Sequence, residues 1–153
     1  MKAKVALIGA ALPAVMALTA APAHADSSKP GGPSGLLQAK EAADIGCWYR
    51  ADSPYFLTGG GTKIWATAKI TGCTSTPPDR CHLTVSIAGP ISDVAHKDDG
   101  WKPCSKKTLK VGYNCPSLVK KSQYTTVATL AMEYKGRTNS HVFSSKEVTL
   151  WCG

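Results

Sequence analysis

Lys63-Ile64-Trp65-Ala66-Thr67-Ala68-Lys69-Ile70-Thr71-Gly72-Cys73 is the stretch that decides the fold. Ile64, Ala66, Ala68 and Ile70 occupy alternate positions, and Trp65, Thr67, Lys69 and Thr71 fill the positions between. A period of two is the mark of a half-buried strand, and no 3.6-residue reading collects the apolar side chains on one face. The strand therefore needs a second apolar layer to cover its aliphatic face.

Working outward, the same period returns. His82 to Ala88 puts Leu83, Val85 and Ile87 inward and His82, Thr84 and Ser86 outward. Thr108 to Cys115 groups Leu109, Val111 and Tyr113, and Tyr124 to Tyr134 groups Tyr124, Thr126, Ala128, Leu130 and Met132. Glu147 to Cys152 alternates Val148, Leu150 and Cys152 with Thr149 and Trp151. Between these runs stand turn signals. Thr74 to Arg80, holding Pro77-Pro78-Asp79, reads as a hairpin loop; Asp98-Asp99-Gly100 lies in an irregular stretch between Gly89 and Lys107; Lys135 to Asn139 reads as the turn before the last strand, and His141 sits in a Ser/Asn turn. Six or seven short strands with almost no helical period predict an all-β chain, an antiparallel β-sandwich of Ig-like layout.

The N-terminal end reads differently. Lys2 and Lys4, the apolar run from Val5 to Ala20 and the small-x-small Ala23-His24-Ala25 have the form of an export leader over residues 1–25. Residues 26–45 read as a flexible N-terminal arm: Asp26 to Gly35 is rich in Ser, Pro and Gly, and Leu36 to Ile45 suits one or two helical turns. Residues 46–153 form the β-sandwich domain. The expected product is a secreted, extracellular protein with no membrane span.

The chain has 153 residues, 18 Lys plus Arg against 10 Asp plus Glu, and six cysteines, all beyond residue 46. In an oxidising compartment an even count means three disulfides and argues against catalytic thiols. Six cysteines allow many pairings, and chain geometry favours Cys73 with Cys81 across the Pro-rich loop, Cys104 with Cys115 across a short excursion, and Cys47 with Cys152 clasping first strand to last.

Catalytic and metal readings find little to stand on. His82, His96 and His141 lack a Gly-x-Ser-x-Gly elbow or any zinc spacing, and Asp93, Asp98 and Asp99 lack the alternating acids and distal Glu of a calcium loop. Neither an enzyme, nor a cofactor, nor a metal is expected. Lys102, Lys106, Lys107, Lys110, Lys120 and Lys121 concentrate positive charge in one region, which reads first as a solvated edge and otherwise as an attractor of anionic polymers or acidic proteins; nucleic acid is not expected, for want of interleaved aromatic and Arg residues. The aromatics remain. Trp65 and Trp151 lie opposite the aliphatic faces of their strands, so they are candidate partner contacts or a sugar-stacking platform.

The layout of leader, polar arm and Cys-containing sandwich closing on Ser144-Ser145-Lys146-Glu147-Val148-Thr149-Leu150-Trp151-Cys152-Gly153 resembles a group of small exported actinobacterial proteins, and among them the adaptor subunits of umbrella toxin particles. That resemblance implies a non-catalytic adaptor joining a large, repeat-containing toxin subunit to a lectin subunit in an extracellular antibacterial particle. It also implies an arm that docks into the lectin subunit, which makes Gly35, Leu36, Leu37, Ala39 and Ile45 candidate contacts. Pro and Gly crowd the arm's first half, so the apolar grip is confined to Leu36 to Ile45. Two other classes fit the residues: a carbohydrate or cell-wall binder, and a protease inhibitor presenting Thr74 to Arg80 or Lys102 to Lys107.

Overall fold

The computed structural model describes residues 34–56, 62–116 and 120–152; the leader and the arm's residues 26–33 lie outside them. Nine strands follow in order: β1 (Ser34–Ala39), β2 (Ala42–Phe56), β3 (Lys63–Cys73), β4 (Arg80–Ala88), β5 (Asp93–Lys102), β6 (Lys107–Asn114), β7 (Lys120–Tyr134), β8 (Arg137–Ser144) and β9 (Val148–Cys152). They build two antiparallel sheets. The front sheet runs β1-β2-β3-β6, and the back sheet runs β5-β4-β7-β8, with β9 also paired to β7. The protein is an all-β antiparallel sandwich stapled by disulfides, as the alternation predicts.

The core is the pair of inward faces. Ile64, Ala66, Ala68 and Ile70 of β3, Leu83, Val85 and Ile87 of β4, and Tyr124, Thr126, Ala128, Leu130 and Met132 of β7 are all buried. Period-two side chains alternate between the two faces of a sheet, so each apolar set turns inward only if its sheet meets another. Beside this core the Thr126 hydroxyl of the back sheet donates across to the Asp52 carbonyl of the front sheet at 2.7 Å. The Thr126 N–H donates to the Ser145 hydroxyl at 3.0 Å. Ser145 thus bridges β8 and β9, which follow one another along β7 (Val127 opposite Ser144, then Tyr124 opposite Val148).

Several expectations are corrected. Leu36 to Ile45 is not helical: β1 pairs with β2 (Leu36 opposite Trp48, Leu37 opposite Cys47), and only Lys40-Glu41 turns. The flexible arm therefore does not extend to residue 45; from Ser34 the chain belongs to the sandwich. Thr74 to Arg80 is a crossover between the sheets, since β3 and β4 lie in different ones. Asp98-Asp99-Gly100 lies inside β5 as a bulge, with His82 opposite Trp101 but Thr84 opposite Asp98, and Gly100 takes the positive φ of 67° that the bulge requires. His141 lies in β8, and the turn before it is confined to Lys135-Gly136, both at positive φ, as a two-residue hairpin needs.

The expected disulfide pairing is overturned as well. Cys47 bonds Cys73, and Cys81 bonds Cys104. The reason is register: Cys47 and Cys73 face each other across β2 and β3, while the crossover carries Cys81 into the other sheet. Cys115 is disulfide-bonded too.

The two open sides of the sandwich are tied by polar contacts. On one, the Asn139 amide donates to the Gln38 carbonyl at 2.7 Å, and Arg137 pairs with Glu41, joining β8 to β1. On the other, Lys107 of β6 pairs with Asp99 of β5 at 2.6 Å.

Candidate functional site

The outer face of the front sheet holds two aromatic stations. At one end Leu36 (41% exposed) lies opposite Trp48 (44% exposed), and Trp48 lies opposite Gly72. A side chain at Gly72 would touch the Trp48 ring at 3.7 Å and Lys106 at 3.8 Å, so the glycine makes a shallow floor under both. At the other end Tyr55 pairs with Trp65, and Trp65 with Gly112. Here a side chain would displace its neighbours: a Cβ at residue 112 would stand 2.9 Å from the Trp65 ring and 2.3 Å from the end of the Lys63 side chain. The indole thus lies down on the sheet because its cross-strand neighbour has no side chain.

Cations flank the second station. The Lys110 ammonium lies 4.4 Å from the Trp65 ring centre and 5.4 Å from that of Tyr55, and Lys63 lies 4.6 Å from Trp65. Such placements favour the ring faces electrostatically. Burial pushes the Tyr55 hydroxyl up, but hydrogen bonds to Lys110 and Thr67 and the Lys110 charge outweigh it and bring the group below the usual phenol range. Between the stations sits a half-buried carboxylate, Asp52, bridged by Arg50 and Lys69 at 2.6 Å each. Burial raises the Asp52 carboxyl, and hydrogen bonds and charge from Lys69 and Arg50 reverse that and hold it below its ordinary value. From Trp48 to Tyr55, at about 3.3 Å per strand residue, the stations stand roughly 20 Å apart.

The outer face of the back sheet carries a different group. His82 donates to Asp98 at 2.6 Å, its ring lies 5.5 Å from Trp101, and Arg80 lies over Trp101 at 5.6 Å while pairing with Glu133 at 2.6 Å. The Gly100 N–H and then His82 hold the Asp98 carboxyl below its usual range. A histidine oriented by an acid is half of a hydrolytic triad, but among the described residues no hydroxyl hydrogen-bonds to this imidazole. His82, Asp98 and Asp99 also bring ligand atoms within 4.8 Å of one another. Asp99, however, already accepts from the Leu83 N–H and neutralises Lys107, so a cation would have to displace that ammonium.

The residues singled out from sequence divide accordingly. Trp65 is on the front face and Trp151, 60% exposed, on the outer side of β9 in the back sheet, so the two belong to opposite surfaces. Of the arm residues, Leu37 and Ile45 are buried in the core or beside it and cannot contact a partner. Gly35 and Ala39 are half-buried, and a Cβ at Gly35 would collide with the Tyr49 hydroxyl. Only Leu36 presents a large apolar surface. Trp48 and Tyr55 stand with Trp65 among the aromatics that sequence marks for a stacking platform, but that Lys63 and Lys110 lie on the Trp65 ring was not legible, because strand pairing joins them and no linear spacing does. Trp48 and Tyr55 stand seven residues apart, out of step for a regular strand, and only the register shift between Asp52 and Tyr55 brings both to the outer face. The lysines grouped in sequence are parted: Lys107 is ion-paired, Lys110 lies on the rings, and Lys102 stands on the far sheet's edge.

No family model, no curated protein and no solved structure matches this chain. No helix among the described residues is long and apolar enough to cross a membrane.

Proposed function

We propose that this protein is an exported, non-catalytic adaptor that holds one protein on each face of its sandwich. The observation that carries the reading is the presence of exposed tryptophans on opposite surfaces: Trp48, beside Leu36, on the front sheet, and Trp101 and Trp151 on the back. Tryptophan and arginine are the side chains that most often anchor protein interfaces, and an adaptor needs two such surfaces that do not compete. The disulfide staples suit an oxidising environment. The resemblance to umbrella-particle adaptors supplies the expected partners, a large repeat-containing toxin subunit and a lectin subunit. The grip assigned there to the arm moves, for residues from Ser34 onward, to the face carrying Leu36.

The test is affinity capture of exported proteins by the tagged mature chain, beside Trp48→Ala/Trp65→Ala and Trp101→Ala/Trp151→Ala. Two partners are expected from the native protein, each lost with one double variant and kept with the other. Loss of both together, or of neither, would refute a two-faced adaptor.

A second reading rests on the glycine floors. Trp48, exposed over Gly72, offers a ring on an open sheet face, the arrangement against which a sugar ring stacks, and at Trp65 over Gly112 a sugar would displace the lysines that lie on the indole. Retention on purified wall polysaccharide that is lost with the front-face variant would favour a carbohydrate binder. An inhibitor gains no support from the geometry, because Arg80 is held by Glu133 and Trp101 within β4.

A further inference from the structure

Two disulfides meet at the interface of the sheets. Cys47–Cys73 staples β2 to β3 in the front sheet, and Cys81–Cys104 ties β4 to the segment after β5 in the back. The Sγ atoms of Cys47 and Cys81, one from each sheet, stand 3.9 Å apart, and both residues are fully buried. The sulfur of Cys104 lies within 4.8 Å of each. Cys73 and Cys104 are only half-buried. Each bridge therefore joins a fully buried cysteine, whose sulfur faces the other bridge, to a cysteine that is only partly buried.

We infer that these two disulfides form an exchange-coupled pair, in which a thiol that opens one bridge passes the opening to the other through a cross-sheet Cys47–Cys81 bond. The entering reagent is a small thiolate of the glutathione class. It bonds to the Cys73 sulfur, and the Cys47–Cys73 bond breaks with its electron pair left on Cys47. The Cys47 thiolate then attacks the Cys81 sulfur; the Cys47–Cys81 bond forms, the Cys81–Cys104 bond breaks, and Cys104 departs as a thiolate that takes a proton from water. One external thiol is consumed, one protein thiol is released, and there is no net oxidation or reduction. Entry at Cys104 runs the same relay in reverse and releases Cys73.

Exchange needs an attacking thiolate at contact distance from a disulfide sulfur, and the sheet packing supplies that distance without a search. The attacking species is the thiolate, so the relay quickens as pH rises. Its product has a local consequence. Cys73 adjoins Gly72, the floor of Trp48, so opening the β2–β3 staple loosens that end of the front face. The inference stands on the sulfur geometry and does not depend on the adaptor reading.

The test is partial reduction of the folded, fully oxidised mature protein with one equivalent of glutathione at pH 8, followed by acid quench, alkylation with N-ethylmaleimide and tryptic mass mapping. Cleavage after Lys40, Arg50, Lys69, Arg80, Lys97 and Lys106 places Cys47, Cys73, Cys81 and Cys104 on four different peptides. The expected result is a new mass joining the Cys47 and Cys81 peptides, absent before reduction, with Cys73 glutathionylated and Cys104 alkylated or the converse. Opening of either native bridge with no Cys47–Cys81 link would overturn the inference. A Cys73→Ser variant gives an independent reading: a Cys47–Cys81 bond with Cys104 free supports the relay, and an intact Cys81–Cys104 bond beside a free Cys47 refutes it.

Discussion

Gly46→Ala tests whether β1 is part of the folded domain or an attachment to it. Gly46 is buried at the start of the β1–β2 pairing, opposite Gln38. A Cβ there would stand 2.3 Å from the Leu37 carbonyl oxygen and 3.2 Å from the Gln38 Cα, both backbone atoms that no rotamer change can move. Nor can residue 46 retreat, because its N–H donates to the Thr74 hydroxyl at 3.1 Å and its carbonyl accepts from the Thr74 N–H at 2.9 Å. Relief must come from β1. If β1 bends away locally, the cost is that of overpacking, about 1–3 kcal/mol. If it detaches, Leu37 leaves the core, a loss of roughly 1.5–3 kcal/mol for a side chain of that size. Either route converges on about 2 kcal/mol, which at a urea dependence of about 1–3 kcal/mol per molar lowers the unfolding midpoint by roughly 1 M. Tryptophan fluorescence in urea reads the midpoint, and amide exchange reads whether Leu36 to Gln38 have lost protection. A variant whose midpoint is within about 0.2 M of the parent, with those amides still protected, would show that the collision is absorbed elsewhere and that the reasoning is wrong.

Leu130→Ala, at a fully buried position facing the opposite sheet, is expected to cost about 2–5 kcal/mol by thermal or urea unfolding. Thr126→Val keeps the shape but strips the Asp52 carbonyl of its cross-sheet donor, and should cost about 1–3 kcal/mol; Thr126→Ser, which restores the hydroxyl, should recover part of it. Asp52 ionises more readily in the folded chain than in the unfolded one, so the stability it supplies is present above its unfolded value. That stability is lost as pH falls from there through the lower folded value. Comparing urea midpoints at pH 6 and pH 2.5 should therefore show a smaller acid loss in Asp52→Asn than in the parent. Trp48→Ala, on an exposed site, should change stability by less than about 0.5 kcal/mol while abolishing capture of the front-face partner.

How much of this was legible in the sequence follows from where each strand sits. β3, β4, β6 and β7 contribute the facing interiors, and their alternating aliphatics announce both the strands and the inward face: Ile64 to Ile70, Leu83 to Ile87 and Tyr124 to Met132 are buried as their period predicts. Of the strands at the margins, β1, β5 and β8 carry no such pattern. β5 buries none of its residues fully, β8 buries only Phe143, and β1 buries only Leu37. Their strand state comes from hydrogen bonding to a neighbour and from contacts such as Asn139 with Gln38, so turn-forming residues inside them, Asp98-Asp99-Gly100 above all, mislead a local reading. Disulfide pairing was illegible for a related reason. Closeness in sequence favoured Cys73 with Cys81, but the crossover sends the two into different sheets, and pairing partners are fixed by register, which a single strand does not encode.

The candidate site inherits both sides of that division. Trp65 and Trp151 could be marked from sequence because each breaks into the polar side of an otherwise apolar alternation. That they lie on opposite surfaces could not, since it follows only from β3 and β9 ending in opposite sheets. The proposed front-face surface is instead a set of cross-strand neighbours: Leu36 opposite Trp48, Trp48 opposite Gly72, Tyr55 opposite Trp65, Trp65 opposite Gly112. The glycine at 112 is the most telling of these. In a sheet edge strand a glycine weakens the ladder and buries nothing, yet here any larger residue would lift Trp65 and dislodge Lys63. Because Trp65 can swing outward, the fold tolerates a side chain there, whereas the proposed front-face surface needs the indole flat. Gly112→Ala should therefore leave the unfolding midpoint nearly unchanged, because half-buried Trp65 can swing outward, while it weakens front-face binding as much as Trp65→Ala does. Unaltered binding by Gly112→Ala, with Trp65 shown displaced by its fluorescence, would remove the front face from the proposal.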